Sequence, residues 1–65
     1  MNKKRYIEKT HKKLEKIEKA LKSLEEINDS EKEYNHRLKG QIDLMKMSVL
    51  SCYEVLNRIE ADPEL

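Results

Sequence analysis

The sequence predicts an all-α fold: an antiparallel two-helix hairpin of coiled-coil type, completed by a partner or by dimerisation. Three observations carry this prediction. Apolar residues recur at alternating steps of three and four along both halves of the chain. Helix breakers are almost missing, with one Gly and one Pro in 65 residues. The internal turn formers gather in one place, Asn28-Asp29-Ser30.

The first predicted helix covers residues 3–27. Its apolar row is Ile7, Leu14, Ile17, Leu21 and Leu24, with Thr10 in the remaining slot. The spacing assigns Ile7, Leu14 and Leu21 to heptad position a, and Thr10, Ile17 and Leu24 to d. Tyr6, Ala20 and Ile27 widen the stripe at g. The opposite side carries Lys9, Lys12, Lys16, Lys19 and Lys22 interleaved with Glu8, Glu15 and Glu18. Pairs such as Glu8–Lys12 have the favourable i,i+4 order, each contributing about 0.2–0.5 kcal/mol.

A turn is expected at 28–30. Ser30 and Glu33 match the capping-box pattern, so a second helix is expected from about 31 to 61. Pro63 follows, where a helix cannot continue. The alternative is one continuous helix that tolerates the Asn-Asp-Ser cluster. The second seam is Leu38, Ile42, Met45, Val49, Cys52, Leu56 and Ile59. Gly40 lies inside this helix, as a neutral surface glycine or as the mark of a close backbone approach.

Between Gln41 and Leu56 the second helix carries more apolar residues than one partner helix covers. Leu44, Met47, Leu50, Tyr53 and Val55 fall off the seam, and these five are the expected protein-binding residues. Burying a Leu, Met or Val side chain contributes about 1.5–3 kcal/mol. A row of this size is therefore expected to be covered, by a second copy or by another protein.

Composition restricts the remaining possibilities. Residues 1–65 form a single small unit, 42% charged and 37% hydrophobic, with a net charge of +1. Nine Lys/Arg against five Glu make residues 1–28 basic, and eight Asp/Glu against five Lys/Arg make residues 29–65 acidic, which favours antiparallel pairing. One cysteine forms no internal disulfide, and the basic N-terminus is followed by no apolar signal segment. These features predict a cytoplasmic protein without a membrane span.

No enzyme is expected, and no cofactor. Cys52 is mid-helix without a neighbouring base, and Ser48 and Ser51 lack one too. Glu8-Lys9-Thr10-His11 and Glu33-Tyr34-Asn35-His36 match the Glu-x-x-His spacing of di-iron bundles. Their heptad positions direct them away from the seam, so solvated histidines are expected and no metal. Nucleic-acid binding through the Lys-rich face is the minority reading. Its form is a homodimeric four-helix bundle that binds RNA, an architecture and length resembling the Rop-like plasmid regulators.

The charged run Leu14-Glu15-Lys16-Ile17-Glu18-Lys19-Ala20-Leu21, the polar turn, and a second helix opening on Glu33-Tyr34-Asn35-His36-Arg37-Leu38 and turning apolar toward Val55-Leu56 resemble one family. It is the YscE/EscE-like co-chaperones of type III secretion needle subunits. The resemblance implies a hairpin that pairs with a tetratricopeptide-like chaperone in the bacterial cytoplasm and helps keep a needle subunit monomeric until export. The surplus apolar face of the second helix is then the docking surface.

Overall fold

A computed structural model describes residues 2–64. The chain forms two α-helices, α1 (Lys3–Ser30) and α2 (His36–Ala61), joined by residues 31–35. Contacts from Lys3 to Asp62, His11 to Tyr53, Glu25 to Lys39 and Asn28 to Asn35 run in opposite directions along the two helices. The pair is therefore antiparallel, as the charge asymmetry and heptads predict. It forms a slab of 51 × 16 × 12 Å, one helix thick.

The helix ends follow from local chemistry. Asn2 caps α1, its side chain accepting from the Arg5 N–H at 3.3 Å. The first turn of α1 carries Lys3, Lys4 and Arg5 and no acid, which is the wrong sign for its own dipole. Antiparallel packing offsets this, because Lys3 Nζ donates to the Asp62 carbonyl at the C-terminus of α2, at 2.7 Å.

The chain reverses later than the sequence suggests. The 28–30 segment is not a turn: α1 continues through it and ends at Ser30, and α2 begins at His36 rather than at 31. Ser30 makes no capping box. Its hydroxyl donates to the Ile27 carbonyl at 2.9 Å, satisfying one of the orphan acceptors at the helix end. The first turn of α2 holds no acidic residue, and Asn35 is its cap, accepting from the Leu38 N–H at 2.9 Å. One continuous helix does not form.

Asn28 explains the shift. It stands one heptad after Leu21, in the same phase as Ile7 and Leu14, and it is buried. Its carboxamide oxygen accepts from the Asn35 N–H at 3.0 Å, and its Nδ2 donates to the Asn35 carbonyl at 3.1 Å. A mid-helix Asn normally competes with its own backbone. Here both side-chain groups point across the reversal, so the helix persists around it.

The core is one row per helix. Ile7, Leu14 and Leu21 are buried on α1, and Ile42, Val49 and Leu56 on α2. The d positions are not buried with them. Leu24, Leu38, Ile59 and Thr10 are half-buried, whereas Ile17, Met45 and Cys52 are exposed and do not belong to the closed seam. Two helices share one line of contact, and here that line runs through a. Both d rows lie to one side of it. Among the described residues no helix is long and apolar enough to cross a membrane.

Gly40 is exposed, with open space around the position a Cβ would take. No close backbone approach requires it. Gly40→Ala is expected to add about 1 kcal/mol, raising the midpoint of a circular-dichroism melt by about 4–8 °C. Asn28→Ala leaves the Asn35 backbone groups without these partners. A loss of about 1–3 kcal/mol in urea unfolding is the expected result.

Candidate functional site

The two broad faces of the slab differ in chemistry, and the heptad register explains how. With a in the seam, e, b and f turn to one face, and d, g and c to the other. In an antiparallel pair the e rows of the two helices share a face, and so do the d rows. Two shallow grooves bear this out. Glu18, Lys22, Glu25, Lys46 and Leu50 line one beside Leu21 and Val49. Tyr6, Thr10, Ser51, Cys52, Val55 and Ile59 line the other beside Leu56.

On the e face polar and aromatic side chains reach across the seam. Lys39 Nζ and Lys46 Nζ both donate to Glu25 Oε2, the second at 2.6 Å. Lys39 also stands 3.2 Å from Asp43, one turn on. The hydrogen bond from Lys39, then that from Lys46, holds the Glu25 carboxyl down at about 2, against an ordinary 4.5. Glu25 first, and Asp43 second, raise the Lys39 ammonium above its ordinary value.

Further along the same face, Tyr53 packs against the core, and its ring lies 5.1 Å from that of His11. The Glu18 carboxylate as hydrogen-bond acceptor, ahead of burial, pushes the Tyr53 hydroxyl up to about 12. Tyr53 is thus part of the hairpin's own packing and not of the free apolar surface expected for it. His11, expected to point into solvent, is half-buried against Tyr53. The long apolar bodies of these flanking side chains cover the seam while their heads stay wet.

The d face has no such cover. Ile17 is 46% exposed and Met45 40%, and between the helices they continue into Leu24, Leu38 and Cys52. Leu44 (60% exposed) and Val55 (50% exposed), at c and g, border this row on the same side. The expected binding set therefore divides. Val55 joins the d face, Leu44 at c lies beyond it toward the outer edge of α2, Leu50 lies on the e face, Met47 lies at f on the outer edge, and Tyr53 is half-buried against the core. Four of the five remain uncovered within the hairpin, while Ile17, Met45 and Cys52 add to the open surface.

Charge divides in the same way. The α1 carboxylates Glu8, Glu15, Glu18, Glu25, Glu26 and Asp29 all fall at b, e or f. So do Asp43, Glu54 and Glu60 of α2. Within α1 and α2 no Asp or Glu stands at d, g or c. Its borders carry Lys9, Lys13 and Lys16 on α1 and Arg37 and Arg58 on α2, all exposed.

Ser48 and Ser51 donate to the Leu44 and Met47 carbonyls one turn back, at 3.1 and 3.2 Å. Cys52 is a free, exposed thiol rather than the buried seam residue expected. Glu33 lies in the 31–35 segment and His36 opens α2, so this Glu-x-x-His is not a helical pair. Among the described residues no three His, Cys, Asp or Glu side chains stand together as a metal-ligand group. No protein-family model matches the chain, and comparison with curated proteins and with solved structures finds no match.

The Glu25 bridge has a pH signature. Its folded value lies below its ordinary one, so its contribution is complete above about pH 5 and is lost as pH falls from 4.5 through about 2. Melting midpoints measured across that window are expected to drop with acidification. In Glu25→Gln this part of the profile flattens, and added salt weakens it in the wild type.

Proposed function

We propose that the chain is a protein-binding hairpin that contributes two helices to a larger helical assembly. The observation supporting this reading is the open d face. Ile17, Met45, Leu44 and Val55 are exposed apolar side chains on a slab only 12 Å thick. Contiguous exposed apolar patches on small chains mark interaction sites. Each such side chain, once covered, contributes about 1.5–3 kcal/mol. The hairpin acts by docking rather than by catalysis: the Ser48 and Ser51 hydroxyls are engaged with helix carbonyls, and its one thiol stands in an apolar row.

In its specific form the reading is a small cytoplasmic co-chaperone, held by a tetratricopeptide-like chaperone and protecting a type III secretion needle subunit. The family resemblance of the sequence supports this form. So does a hairpin whose uncovered apolar residues lie mainly on α2.

Tagged hairpin recovered from its native host is expected to carry a stoichiometric protein partner, read as complex mass by light scattering. Ile17→Glu combined with Val55→Glu is expected to release that partner while helicity is kept. Leu50→Glu, on the other face, is expected to retain it. An unchanged complex in the double variant, or a partner-free wild type, overturns the reading.

A further inference from the structure

The d face holds more than an apolar row, because its borders are cationic and the carboxylates within the two helices all lie at b, e or f. Lys9, Lys13, Lys16, Arg37 and Arg58 flank the groove, and no helix carboxylate shares the face. On the other face the charges are mixed and partly paired, as in the Glu25 bridge to Lys39 and Lys46. In random placement around two helices, acids and bases scatter over both faces. Here every carboxylate of the two helices falls at b, e or f, so the open d row is bordered by cations alone.

We propose that this groove takes one amphipathic helix from a partner protein, with an apolar stripe bordered by Glu or Asp. The shape fits a helix. Tyr6, Thr10, Cys52, Val55 and Ile59 line a trough between two parallel ridges, into which a third helix packs lengthwise. The groove lies at the Tyr6–Thr10 end of α1, and the d row continues from it through Ile17 to Leu24, so that the d side of α1 from Tyr6 to Ile27 rises about 30 Å, the length of a helix of about 20 residues. The charge fits an acidic border, because Lys13 at g and, further round, Lys9, Lys16, Arg37 and Arg58 at c are exposed cations, and no carboxylate within either helix shares their side.

A second copy of the chain fits less well. Face to face, two copies bring the same cationic borders together with no carboxylate to offset them, and like charges across an interface are costly. An anionic bilayer fits less well too. The chain has no Trp and no Phe, the side chains that seat such helices in lipid, and its apolar residues line a concave trough.

The inference rests on the protein-binding reading. Two synthetic 20-residue peptides with the same Leu stripe test it, one bordered by Glu and one by Lys, each titrated against the whole hairpin by fluorescence anisotropy. The Glu-bordered peptide is expected to bind at least about tenfold tighter, by a margin that shrinks in high salt. Combining Lys13→Glu, Lys16→Glu and Arg58→Glu is expected to reverse the preference, and Ile17→Glu to weaken both peptides. Equal affinity for the two peptides overturns the charge rule and leaves the protein-binding reading standing. Affinity for neither removes both. Self-association that Ile17→Glu undoes, or binding only to phosphatidylglycerol vesicles, overturns the acidic-helix assignment in favour of a second copy or a membrane surface.

Discussion

The carboxamide of Asn28 holds both backbone groups of Asn35, and the geometry of the hairpin depends on that pair of bonds. It sets where the chain turns back, because residues 31–35 must close the distance between two fixed ends. It also sets the register. With Asn28 level with Asn35, each further heptad along α1 meets one heptad back along α2. Ile7, Leu14 and Leu21 then share the seam with Ile42, Val49 and Leu56. An apolar residue at position 28 fills the row equally well but provides no directional bond, so register is left to packing alone.

Once the register is set, the faces follow. Two helices bury one line of side chains between them, and the residues beside that line divide to left and right. On one side the chain supplies long polar residues and a tyrosine that span the seam: Lys39, Lys46 and Tyr53 reach Glu25, Glu18 and His11. On the other side it supplies short apolar residues that end at the surface. The hairpin is thus bridged across the seam on one face, where Leu50 still stays exposed, and unbridged on the other. This asymmetry gives the molecule a direction in which to bind. A thin core of this kind is marginal for a chain of 65 residues, and an added layer on the open face stabilises it by covering apolar area.

Some of this is visible in the residues alone. The a row is legible because period and phase suffice to find it, and its continuation to Asn28 and Asn35 stands in the same phase. The turn is less legible. Asn28-Asp29-Ser30 has the composition of a turn, yet Asn28 uses its side chain across the reversal instead of against its own helix. The division of the d row from the a row cannot be read from periodicity, which marks both as apolar. Ile17, Met45 and Cys52 have the pattern of core residues and the exposure of a docking surface. Tyr53 is the reverse case, off the stripe by sequence and packed by structure, because a long ring at the flank reaches back over the seam.

By itself, the sequence determined the helical class and the excess of apolar surface on the second half, and it favoured an antiparallel hairpin over one continuous helix. Each depends on local quantities: helix breakers, three-four spacing, capping residues and charge counts. The tertiary structure alone decided which flank of the seam is covered, which carboxylate gathers two lysines, and which apolar residues remain open. Those outcomes depend on the rotation of each helix about its axis and on their relative register. Both are fixed by contacts between residues far apart in the chain, such as Asn28 with Asn35 and Glu25 with Lys46.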